Sequence, residues 1–181
     1  VIGSRSFGEN KEMVASFGYQ YMKGLQDNGI LACAKHFPGH GDTDADSHLA
    51  LPKVTHNQRR LDSLELFPFS NLINKGISGV MVAHLNIPTL EKDSTLASSL
   101  SENVIKKLLV DSLKFKGLIY TDALNMKGVA EFRKPTELNY IAYKAGNDFL
   151  TCPEKVKESI DYIEQQVAAG KISVDEVNAK C

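Results

Sequence analysis

Short, unbroken apolar runs alternate with longer stretches of helical periodicity along this chain. Residues 30–34, 79–83, 118–121 and 148–151 are the runs, each of strand length and none alternating apolar with polar. Strands of this kind suit a parallel sheet covered on both faces. Between them the apolar positions recur every three or four residues, the period of a helix with one buried face. Asn10 is placed to cap a first helix whose inward face carries Met13, Val14, Phe17, Tyr21 and Leu25, with Asn28-Gly29 ending it. A second helix is expected over 61–76, with Leu64, Phe67, Leu72 and Ile73 inward and Pro68 breaking or restarting it. Ser101 and Glu102 open a third, carrying Val104, Ile105, Leu108, Leu109 and Leu113 and closing near Lys116-Gly117.

Thr136 caps a further helix running to Gly146. Pro153 suits the first position of the next one, which Val156, Ile160, Ile163 and Val167 stripe and Gly170 stops. Ser173 with Glu176 forms a capping box for a last short helix. The order is helix, then strand–helix four times, an α/β chain. Three successive strands run into ionisable residues: Lys35-His36, His84 and Asp122. A (β/α)8 TIM barrel places its chemistry that way, on side chains converging from the C-terminal ends of several strands. The alternative, a doubly wound open sheet, normally carries a G-x-G-x-x-G turn after its first strand, and none follows a strand here. Four strands against the eight of a full barrel imply that residues 1–181 are one partial barrel domain, the second half, with the N-terminal half absent from this chain.

Composition narrows the picture without redirecting it. The chain has 181 residues, 43% hydrophobic and 24% charged, an ordinary globular balance. Twenty-one basic residues against 22 acidic give a net charge of −1. That balance lacks the basic field nucleic-acid binding relies on. No run of about 18 apolar residues exists to span a membrane. Cys33, Cys152 and Cys181 are too few and too scattered for a disulfide framework or a metal spacing, which favours a reducing, cytoplasmic setting. The chain opens on Val1 without an initiator methionine and reads as cut from something longer. A periplasmic or secreted parent therefore stays open, and localisation is unknown.

The densest chemistry lies at 35–48, where Lys35, His36, His40, Asp42, Asp44, Asp46 and His48 crowd together with Gly39 and Gly41. Groups so placed shift one another's pKa values and supply acids and bases near neutral pH. A solvated surface loop would have the same turn formers. Asp122, between Thr121 and Ala123, is either a cap for 123–128 or a carboxylate nucleophile or base. Asp46 stands two positions before His48, close enough to hold one ring nitrogen and leave the other for substrate. Ser47 lacks the G-x-S-x-G surroundings of a nucleophile. His36, His40 and His48 with the three aspartates could ligate a divalent ion, but no H-E-x-x-H or similar pattern occurs, and no metal or cofactor is assigned. Lys35 could form a Schiff base or hold substrate as a cation, and Arg5 has the donor fork for the second role.

K-H-F-P-G-H-G-D-T-x-x-D-S-H at 35–48, T-D-A-L-N-M at 121–126 and I-G-S-R-S-F-G at 2–8 together resemble glycoside hydrolase family 3. Within it, they are most similar to the β-N-acetylhexosaminidase branch of peptidoglycan recycling. The resemblance runs from Val1 to about Cys152. It implies a (β/α)8 barrel and retaining, two-step removal of terminal N-acetyl-β-D-hexosamine, with N-acetylglucosaminides and muropeptide fragments as substrates. By position Asp122 matches the nucleophile, His48 the proton donor and Asp46 its carboxylate partner. Arg5, Lys35 and His36 match residues that hold the terminal sugar. An aspartate and an arginine that the family draws from earlier strands have no counterpart here, so the fragment alone is expected to be inactive and its partner to be the missing barrel half or further domains. An imidazole base should also tolerate an anionic acceptor, so phosphate could compete with water. The competing readings are a metal-dependent barrel hydrolase using His36, His40 and His48, and a non-catalytic sugar-binding half-barrel.

Overall fold

The computed structural model describes residues 3–43 and 51–180. Its centre is a parallel sheet of three strands in the order β1 (Cys33–Phe37), β2 (Gly79–Val82) and β3 (Leu118–Thr121). The helices are α1 (Lys11–Gln26), α2 (Gln58–Arg60), α3 (Leu66–Asn74), α4 (Lys127–Ala130), α5 (Pro135–Ala145), α6 (Val156–Ala168) and α7 (Val174–Asn178). Wide-turn π-helical segments cover Leu61–Glu65 and Asn103–Ser112. Ala34, Phe37, Val80, Val82 and Ile119 of the strands face Leu66, Phe69, Leu72, Val104, Ile105 and Leu109 of the helices in one core. Burying a side chain such as Leu109 fully contributes about 1.5–3 kcal/mol. A smaller cluster of Ala97, Leu100, Leu124, Val129, Leu138 and Ala142 lies beyond β3.

The first strand is not where the apolar run put it. It starts at Cys33 and includes Lys35 and His36, whereas Ile30 and Leu31 are exposed. The Ile30 N–H is spent on the Leu25 carbonyl at the end of α1, so the ladder begins only when the Ala32 carbonyl accepts the Gly79 N–H. The register shifts between Ala34 and Phe37, and the Lys35–His36 and Phe37–Pro38 peptide bonds are cis. The fourth run is not a full strand either. Residues 148–151 lie along β3 through a single parallel bridge, Tyr120 to Phe149. Backbone bonds run from the Phe149 N–H to the Ile119 carbonyl and from the Thr121 N–H to the Phe149 carbonyl, and side chains continue the pairing: Thr121 Oγ1 accepts the Thr151 N–H at 2.9 Å, and the Thr151 hydroxyl donates to the Thr121 carbonyl at 2.7 Å.

Several helices depart from expectation in phase or start. Asn10 does cap α1, its side chain accepting the Met13 N–H. The buried face of α1, however, is that of Ala15 and Met22, and Met13, Phe17 and Tyr21 are exposed. Phe17 and Tyr21 instead meet the ring of Phe7 at 6.2 and 6.3 Å, which ties the N-terminal segment to the helix. Before Pro68 the helix passes through its wide-turn segment and restarts as α3 at Leu66. Pro68 has no N–H to offer the preceding turn, and the Ser63 carbonyl accepts from Lys11 Nζ at 2.7 Å. α5 begins on Pro135 with Lys134 as its cap, so Thr136 lies inside the helix. α6 begins at Val156 rather than at Pro153, and Val156 and Ile160 are exposed on it. Ser173 and Glu176 form the expected capping box of α7.

Candidate functional site at the C-terminal ends of the strands

The C-terminal end of the sheet gathers most of the residues that the sequence singled out. Asp122 follows β3 directly. Its N–H donates to the Val82 carbonyl at 2.9 Å, and its Oδ1 accepts the Ala123 N–H at 2.9 Å. It caps no helix, since α4 starts at Lys127 behind Met126. Asp122 Oδ2 lies 3.9 Å from His36 Nε2, with both side chains largely buried.

Burial is the main cause that drives the His36 pKa down to about 4; Lys35, His40 and Arg5 push the same way, and Asp122 opposes them. The ring is therefore neutral at pH 7, a polar neighbour of Asp122 and not its counter-ion. His36 Nδ1 is buried with no hydrogen-bond partner among the described residues. Arg5, in the N-terminal 3₁₀ turn, and Lys35, on β1, both act electrostatically on His36.

His40 is buried, with its Nδ1 2.9 Å from Thr43 Oγ1 and its ring 5.9 Å from that of His36, edge to face. Gly39 reaches this arrangement at φ +134°, where a Cβ would stand 2.8 Å from the Cβ of Glu65. His48, Asp46 and Asp44 lie outside the described residues, as does Ser47.

A network that local spacing did not reveal braces the start of this loop. His56 Nε2 donates to Asp42 Oδ2 at 2.8 Å, and Arg60 Nη2 reaches the same oxygen at 3.3 Å. Arg60 Nε and Nη2 both donate to Glu65 Oε1 at 3.1 Å. These residues come from 14 to 23 positions downstream of Asp42, so only the tertiary fold brings them together. Asp42, His56 and Glu65 are the one group of three potential metal ligands among the described residues, within 4.8 Å of one another. The guanidinium of Arg60 lies against both carboxylates and offsets one of their two charges.

The sheet therefore presents a carboxylate, a neutral histidine and two cations at one end, the arrangement of a β/α enzyme that works at its strand ends. The chain belongs to glycosyl hydrolase family 3: the model described as "Glycosyl hydrolase family 3 N terminal domain" matches residues 1–181. The β-hexosaminidase of Neisseria meningitidis (strain Z2491) is 38% identical over 164 residues, covering 89% of this chain and 45% of that protein. The family 3 β-N-acetylglucosaminidase from Paenibacillus sp. str. FPU-7 superposes with a TM-score of 0.94 at 41% identity, over 99% of this chain and 35% of that one. The β-N-acetylglucosaminidase from Thermotoga maritima superposes with a TM-score of 0.88 at 27% identity, over 99% of this chain and 39% of that one. The chain thus spans less than half the length of these relatives.

Proposed function

We propose that this chain is the catalytic-acid half of a (β/α)8 barrel that removes terminal N-acetyl-β-D-glucosamine residues with retention of configuration. The observation that carries the reading is Asp122, held at the end of β3 with Oδ2 turned toward His36. Three things support the barrel: the parallel order β1-β2-β3, the pairing of β1 on one side only, and the relatives' greater length. Unpaired parallel edges call for further strands.

A retaining glycosidase needs one group to attack the anomeric carbon and another to protonate the departing oxygen. Asp122 is the attacking carboxylate. Oδ1 is held by the Ala123 N–H, and Oδ2 lies on the side of His36 Nε2, 3.9 Å away. A glycosyl ester forms at Asp122 as the bond to the aglycone breaks. His48, oriented by Asp46, delivers the proton to the leaving oxygen and then takes one from the attacking water. Acid–base help of this kind is worth about 10²–10⁴-fold. Lys35, Arg5 and His36 hold the terminal sugar. A neutral His36 suits this task, because a second cation against Asp122 would blunt its attack.

The test is covalent trapping. The full-length protein, given a substrate whose second step is slow, should yield a peptide containing Asp122 heavier by one glycosyl residue in mass spectrometry. Label on another carboxylate would remove Asp122 from this role.

A further inference from the structure

His84 follows β2 and is fully buried, yet neither attack nor proton transfer uses it. Its Nε2 lies 3.0 Å from the Ala123 carbonyl oxygen. A carbonyl only accepts, so Nε2 carries the hydrogen and donates. In the neutral ring Nδ1 then accepts, and the Ser99 hydroxyl stands 2.6 Å away to donate to it. Ser99 is itself fixed. Its N–H donates to the Ala83 carbonyl at 3.1 Å, and its carbonyl accepts from Asn147 Nδ2 at 2.8 Å.

The carbonyl that His84 holds belongs to the residue whose N–H binds Asp122 Oδ1. The other edge of that same peptide unit, the Leu124 N–H, donates to the Thr151 carbonyl at 2.9 Å. The peptide unit joining Ala123 to Leu124 is thereby held at both edges, and across the Ala123 Cα it adjoins the unit whose N–H meets Asp122 Oδ1. We propose that His84 is a positioning residue for Asp122: through the Ala123 carbonyl it sets the N–H that orients the attacking carboxylate, and Ser99 fixes the tautomer that lets it do so. The inference rests on the reading of Asp122 as nucleophile.

The experiment uses the full-length protein, with each variant's active fraction counted from its burst of leaving group. His84→Leu removes the donor and should lower kcat per active site on the order of 10–100-fold with KM little changed, the penalty of a slightly misplaced reacting group. His84→Gln, whose amide can donate to the same carbonyl, should recover most of that loss. If His84→Leu does not fold, Ser99→Ala takes its place, and a several-fold drop in kcat is expected once the tautomer is no longer fixed. A lower melting temperature with wild-type kcat per active site in these variants would make His84 merely structural and overturn the proposal. Asp122→Ala in the same assay separates the two readings. If it is inactive while His84→Leu keeps wild-type kcat, only the positioning role fails; if it keeps full rate, the nucleophile assignment fails and takes the positioning role with it.

Discussion

His36 is the residue where burial and function meet most visibly. Its folded pKa of about 4 lies below the ordinary histidine value of 6.5, because burial disfavours the charged ring. Between those two pH values the unfolded chain binds a proton that the folded chain refuses. Stability is therefore full above about 6.5 and is lost as pH falls toward 4. In urea titrations at pH 7 and pH 4.5, His36→Gln should lose less of its unfolding midpoint on acidification than the parent does; equal losses would contradict the cause given. Gly39 is the second residue with a sharp requirement. At φ +134° and with Glu65 against it, Gly39→Ala should cost about 1–3 kcal/mol, read as a lower melting temperature. An unchanged temperature would mean that the loop start has freedom the packing denies it.

At the scale of elements, the legible features were those with a local cause. Asn10 and the Ser173–Glu176 pair are caps recognisable from a few neighbouring residues, and β2 and β3 are apolar runs bounded by glycine and a polar residue. What the sequence hid depended on partners far along the chain. The start of β1 slid past Ile30 and Leu31 because the chain first closes α1, and α1 turns Ala15 and Met22 inward while Phe17 and Tyr21 stay exposed beside Phe7. The bracing of Asp42 by His56, Arg60 and Glu65 left no spacing signal, and the link from His84 through Ala123 to Asp122 joins two strand ends. The candidate site was easier to find than its supports: Asp122 follows the apolar run of β3, and Lys35 and His36 follow the apolar run that leads into β1. Ser173→Ala offers a clean check on the local part. It removes the bond to the Glu176 N–H and should destabilise by about 1 kcal/mol in thermal melts, with no effect on activity. A change in activity would mean that α7 bears on the site.

At the scale of the molecule, the exposed side chains bear on the proposed barrel. Phe7, Phe17 and Tyr21 form one uncovered aromatic cluster, while Ile30 and Leu31 precede the open edge of β1. A 181-residue chain carrying them by itself should self-associate at micromolar concentration and bind a hydrophobic dye, and a longer polypeptide that covers them should do neither. A well-behaved monomer in sedimentation would argue against the further strands proposed for the barrel.

The most direct test of the whole account is chemical rescue of Asp122→Ala in the full-length protein, with an aryl N-acetyl-β-glucosaminide as substrate. The account predicts a rate lower by at least about 10³-fold, partly restored by azide with an α-glycosyl azide as product, because the small anion attacks where the carboxylate stood. A variant that keeps the parent's rate and needs no azide would contradict it.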